Sequence, residues 1–155
     1  GYYKEEILLK INTKGRDNAR RPMQWTAEKN AGFTTGTPWI DVNPNYQTIN
    51  VAAALADKNS LFYTYQEMIR LRKEHPLIVW GDFELLETVD EVISFYRTYG
   101  EERWLVVTNF SDKVQPFSAD VHVEQVMIEN MPTDVTALAD YSLAPWQAFV
   151  VKVSQ

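Results

Sequence analysis

The strongest constraint on this chain is a change of period at Pro76. Before it, Phe62, Tyr65, Met68, Ile69 and Arg72 recur at helical spacing, and Leu61 and Leu71 widen the apolar stripe. After it, apolar residues alternate with polar ones. The spacing predicts a helix over 59–75, with Asn59 or Ser60 at its start and Arg70 and Glu74 poised to pair. Pro76 stops it, because the ring clashes with the preceding turn and offers no N–H. Beyond it the alternation predicts strands over 77–86, 92–99, 104–110, 114–117, 123–128 and 148–153. Short strands at roughly ten-residue spacing, split by turns such as Ser111-Asp112-Lys113, indicate an antiparallel sandwich. A domain boundary is placed at Pro76, giving 1–76 and 77–155.

The stretch before the helix has a different character. A short amphipathic helix is expected over 2–11, and then a loop from 13 to 57 with no apolar period, carrying Pro22, Pro38, Pro44, Gly32 and Gly36. A helical turn is expected near 51–56. Loops longer than about 15 residues inside compact proteins are usually functional. This one opens with Arg16-Asp17-Asn18-Ala19-Arg20-Arg21-Pro22-Met23-Gln24-Trp25 and continues through Asn30-Ala31-Gly32-Phe33-Thr34-Thr35-Gly36. It reads as half of an active site.

Composition excludes several classes. Fifteen Lys and Arg are scattered among twenty-one Asp and Glu, so no concentrated positive face exists for nucleic acid. The absence of Cys removes disulfide frameworks and thiolate zinc sites, and it fits a reducing compartment. No apolar run could span a bilayer, so a cytoplasmic location with no membrane partner is expected. His75 and His122 lack metal-ligand spacing, and neither a metal nor a cofactor is expected. Trp80, Tyr96, Trp104 and Trp146 are expected in the sandwich core.

The motifs at 16–25 and 30–39, with Val42-Asn43-Pro44-Asn45-Tyr46, resemble glycoside hydrolase family 13 of the alpha-amylase superfamily. Within it they are similar to the oligo-1,6-glucosidase, dextran glucosidase and trehalose-6-phosphate hydrolase group. The resemblance extends through Ile49-Asn50-Val51, Asp57-Lys58-Asn59-Ser60, Ile69-Arg70-Leu71-Arg72-Lys73 and Val107-Thr108-Asn109-Phe110-Ser111 to Leu143-Ala144-Pro145-Trp146-Gln147-Ala148. It implies a mainly β fragment: a C-terminal antiparallel, Greek-key-like β-sandwich preceded by the last loop and last helix of a (β/α)₈ barrel.

The family's chemistry needs a carboxylate nucleophile and a carboxylic acid about 5 Å apart. The segments that carry them in the family are absent here, so no catalytic residue is assigned and the chain alone is expected to be inactive. Arg16 is the substrate-binding residue the resemblance implies, holding a terminal glucose; its alternative role is an ion pair that tethers the loop. Asp17 is expected to form the turn as an Asx cap; its alternative role is to orient an Arg. Trp25, Phe33 and Trp39 are expected to pack, and Asn30 could reach a distal sugar. Arg21 departs from the family pattern, which has Thr or another small residue there. The whole enzyme would be a retaining alpha-glucosidase acting on an oligosaccharide with α-1,6 bonds. Alternatives are trehalose-6-phosphate hydrolase and a non-catalytic carbohydrate-binding or structural module. Without a barrel, the helix face over 59–75 is expected either to fold back on the sandwich or to mediate self-association.

Overall fold

The computed structural model describes residues 3–132 and 137–154. The chain divides into two compact units, 1–66 and 67–155.

The first unit contains little regular structure. Helix α1 (Lys4–Lys14) covers most of the predicted segment, whose Tyr2 lies outside the described residues. Its apolar residues Ile7, Leu8, Leu9 and Ile11 are exposed, and Lys10 pairs with Glu6 one turn back. The long loop contains three single turns of 3₁₀-helix, at Asp17–Arg20, Lys29–Gly32 and Pro44–Gln47. Helix α2 (Val51–Ala56) follows where a helical turn was expected.

Helix α3 (Leu61–Glu74) is the helix that the spacing predicts. Its apolar stripe stays open: Phe62, Tyr65, Met68 and Ile69 are all exposed, and Leu71 is buried. Arg70 pairs with Glu74 as the spacing predicts, and also with Glu67 at 2.5 Å. The hydrogen bond from Arg70 holds the Glu67 carboxyl below its ordinary range.

In the second unit, the predicted strand over 77–86 is in fact a helical turn, α4 (Leu77–Trp80), followed by a shorter strand β1 (Asp82–Leu85). A short apolar run such as Leu77-Ile78-Val79-Trp80 fits either period, so periodicity alone cannot decide it. Pro76 has helical φ and ψ and starts the turn. Gly81 ends it, where an added Cβ would sit 2.5 Å from the Leu77 carbonyl oxygen. The Arg97 guanidinium then donates to the Leu77 carbonyl, which also accepts the Gly81 N–H, and to the Ile78 carbonyl.

The remaining strands are β2 (Val92–Tyr99), β3 (Glu102–Asn109), β4 (Gln115–Phe117), β5 (His122–Glu129), β6 (Tyr141–Leu143) and β7 (Ala148–Ser154). Strand β6 is absent from the sequence reading, because three residues are too few for alternation to register. An antiparallel five-stranded sheet runs in the order β1-β2-β3-β7-β5, and β4 pairs with β6 in a second sheet. The core comprises Val92, Tyr96, Leu105, Val107, Phe149, Val151 and Val153 from the large sheet, together with Phe117, Leu138 and Leu143. This is the antiparallel sandwich that the alternation predicts.

The four aromatics expected in the core divide evenly. Tyr96 and Trp104 are buried. Trp80, on α4 rather than a strand, and Trp146, in a turn at φ 59, are exposed. Trp104 belongs to a second cluster with Leu71 and Leu77, where the His75 ring lies 4.7 Å from its own. Glu102 accepts from the Trp104 indole at 2.9 Å and faces His75 Nδ1 at 3.2 Å. His75 thus closes a helix end and packs there.

Burial pushes the Tyr96 hydroxyl above its ordinary value, with Arg103 opposing the shift and Glu84 adding to it. A group whose folded pKa is raised stabilises fully below its unfolded pKa, about 10 for Tyr, and loses that contribution as pH rises through the folded value. Stability is therefore expected to fall on the alkaline side of pH 10, and Tyr96→Phe to flatten that fall in urea titrations.

Candidate functional site

Arg16 stands at the entrance of the loop, exposed, with its carbonyl accepting from Ala19 N–H at 3.1 Å. Among the described residues Arg16, Arg20 and Arg21 make no ion pair. The tethering role considered for Arg16 thus has no partner within the described residues. Asp17 lies inside the first 3₁₀ turn, which no side chain caps, so it does not act as an Asx cap there.

Downstream, the loop is built on itself. Pro22 and Ala31 are buried. The Ala31 carbonyl accepts from the N–H groups of both Trp25 and Thr26, at 2.9 and 3.0 Å. Asn30, Ala31 and Gly32 all have positive φ, at 56°, 56° and 66°. Asn and Gly tolerate that region; a buried Ala held there indicates that its surroundings fix it. Asn30 does not reach outward as the distal-sugar reading required: its Nδ2 donates to the carbonyls of Thr34 at 3.1 Å and Gly36 at 2.8 Å, closing the turn. At Gly32 a Cβ would approach Thr26 Oγ1 to 2.6 Å, on top of the positive φ. Gly32→Ala is expected to destabilise this turn by about 1–2 kcal/mol, read as faster amide exchange at Trp25 and Thr26.

The second half of the loop is tied to the first through α2. A helix leaves its first N–H groups without intrahelical partners. Here Val51 N–H donates to the Gln24 carbonyl at 2.9 Å, Ala52 N–H to the Trp25 carbonyl at 3.0 Å, and Ala53 N–H to Asn50 Oδ1 at 2.8 Å. Asn50 is buried, and its Nδ2 donates to the Tyr46 carbonyl at 2.8 Å. Gln24 Nε2 donates to Asn45 Oδ1 at 3.0 Å and to the Ile49 carbonyl. Sequence reading passed over this clasp. An Asn directly before Val-Ala-Ala-Ala was a usable helix-cap signal for half of it, whereas nothing local reveals the Gln24 side.

Trp25, Phe33 and Trp39, expected to pack, are exposed, Trp39 by 82%. Small residues, Pro22 and Ala31, occupy the interior of the turn instead. The surface of this unit thus presents free guanidinium donors and open aromatic faces, a combination suited to sugars. Its acids Glu5, Glu6, Asp17, Glu28, Asp41 and Asp57 are all exposed. No group of three or more His, Asp or Glu among the described residues could hold a metal ion. A cleft of about 580 Å³ in the second unit is lined in part by Glu87, Thr88, Asp140 and Tyr141; the Thr88 hydroxyl donates to the Val92 carbonyl, and the Tyr141 hydroxyl oxygen accepts from Gln147 Nε2. No helix among the described residues is long and apolar enough to cross a membrane.

Residues 2–81 match the family model described as alpha amylase, catalytic domain. The chain belongs to the alpha-amylase family. The match begins before Arg16 and runs past α4, so the whole loop lies in the catalytic-domain portion. The chain is 50% identical over 149 residues to a glucan 1,6-alpha-glucosidase of Streptococcus pneumoniae, covering 96% of this chain and 28% of that protein. It is 48% identical over 155 residues to an oligo-1,6-glucosidase of Parageobacillus thermoglucosidasius, with the same coverages. The crystal structure of Bacillus licheniformis trehalose-6-phosphate hydrolase superposes with a TM-score of 0.82 at 36% identity, covering 100% of this chain and 29% of that one. The chain thus spans a little over a quarter of the length of such relatives, and the sandwich is the C-terminal β-sandwich of family enzymes.

Proposed function

We propose that this chain is the C-terminal part of a cytoplasmic retaining alpha-glucosidase that releases terminal glucose from α-1,6-linked oligosaccharides. The observation that carries this reading is the 50% identity with the pneumococcal glucan 1,6-alpha-glucosidase, sustained over 149 residues that include most of this chain. In this reading Arg16 contacts the terminal glucose. Its guanidinium offers fixed donors to sugar hydroxyls and to a neighbouring carboxylate supplied by the barrel. The nucleophile and the general acid lie outside this chain, in the part of the enzyme its relatives have in addition. The reaction is a double displacement through a covalent glucosyl intermediate, with the acid protonating the leaving oxygen and then activating water.

The exposed faces Ile7, Leu8 and Ile11 of α1 and Phe62, Tyr65, Met68 and Ile69 of α3 are covered by the barrel in the intact enzyme. Alone, the chain associates through the second of these faces.

The test is a chimaera in which this chain replaces the matching segment of the pneumococcal relative. Hydrolysis of isomaltose in preference to trehalose 6-phosphate is expected. The reverse preference would replace this reading with the trehalose-6-phosphate one. A folded but inert chimaera would favour a non-catalytic module.

A further inference from the structure

The Arg16 loop draws its order from contacts that lie well along the chain from Arg16. Its backbone registers on the first turn of α2, where the carbonyls of Gln24 and Trp25 take the N–H groups of Val51 and Ala52. Two amide side chains lock that register from either side. Asn50 caps Ala53 N–H and holds the Tyr46 carbonyl; Gln24 spans to Asn45 and to the Ile49 carbonyl. A six-residue helix is marginal by itself, so α2 and the clasp depend on each other. Between Gln24 and Arg16 there is little slack: Pro22 is buried with its φ fixed by the ring, and a 3₁₀ turn fills Asp17–Arg20. A shift at the clasp is therefore passed to Arg16 rather than absorbed.

We propose that Gln24 and Asn50 are positioning residues that set the placement of Arg16 in the sugar site. This rests on the reading of Arg16 as a sugar contact. The two amides touch no substrate. They act by holding the loop to the tolerance that oriented binding requires, where misplacement by about 1 Å can cost a factor of 100.

The experiment uses the chimaera with isomaltose, normalised to titrated active sites. Gln24→Ala is expected to raise KM roughly tenfold with kcat within about twofold, the pattern of lost ground-state binding. Asn50→Asp, which keeps the acceptor for Ala53 N–H, is expected to raise KM less than Asn50→Ala. In an Arg16→Ala background, Gln24→Ala is expected to add nothing. A loss of activity that follows the folded fraction at unchanged KM would make the clasp purely structural and overturn the proposal. So would a Gln24→Ala effect that persists in full without Arg16. If Arg16→Ala alone left KM unchanged, the reading of Arg16 would fail first and this proposal with it.

Discussion

Asn109→Ala is expected to destabilise the sandwich by about 3–5 kcal/mol, from roughly 1–3 kcal/mol for each buried polar group left without a partner. Asn109 is 1% exposed and every polar position of its amide is used. Nδ2 donates to the Lys113 and Ala144 carbonyls at 2.8 and 2.9 Å. Oδ1 accepts from the N–H and the hydroxyl of Ser111 at 2.9 and 2.8 Å. One side chain thus joins the turn after β3 to the turn before β7. The second turn is further held by Gln147 Oε1, which accepts from Ala144 N–H at 2.9 Å, and by Asn130, which bonds to Trp146 and Ala148. Asn109→Asp should also destabilise, because a carboxylate oxygen would then face two carbonyls. Urea unfolding of the full chain reads this as a lower midpoint at unchanged slope. A change below about 1 kcal/mol would mean that water replaces the amide without loss.

That hub was visible in the sequence only as part of a motif. Val107-Thr108-Asn109-Phe110-Ser111 and Leu143-Ala144-Pro145-Trp146-Gln147-Ala148 carry the family resemblance, but nothing local says that Asn109 reaches Ala144, far along the chain. Long-range polar contacts leave no periodic trace. The strands themselves were legible because half-buried strands alternate: β2 buries Val92, Ser94 and Tyr96 and leaves Ile93 open. Alternation failed where it had too few residues to act on, at β6, and where an apolar run suited both periods, at α4.

Arg16→Ala in the chimaera is expected to lower kcat/KM for isomaltose roughly 30- to 100-fold. This corresponds to about 2–3 kcal/mol, the range for hydrogen bonds from a charged donor in a closed site. Arg16→Lys should recover part of this, since an ammonium restores charge but not the planar fork. Arg21→Ala is the comparison. It lies in the same loop, is also exposed and stands where the family pattern has a small residue, so an effect under about twofold is expected. Equal losses at Arg16 and Arg21 would point to a general electrostatic attraction by the loop.

The candidate site was legible in outline. A long loop rich in Arg, Asn and aromatics, without period, pointed to binding. Arg16 is exposed, with no ion pair among the described residues. The internal scaffold was not legible. Asn30, which could have reached a distal sugar, closes its own turn; Trp25, expected to pack, is open. Composition identifies a residue's chemistry, but only the fold determines whether that chemistry is spent inside the loop or offered outward.

A chain that supplies one wall of a glucosidase site and none of its catalytic carboxylates hydrolyses nothing alone and acts only beside the rest of the enzyme. The most direct measurement is release of nitrophenol from an aryl α-glucoside, by the chain alone and by the chain mixed with the remaining portion of the pneumococcal relative. No turnover above the blank is expected for the chain alone, with turnover appearing as the complementary portion is added. Turnover by the isolated chain would mean that the chain carries its own acid and nucleophile.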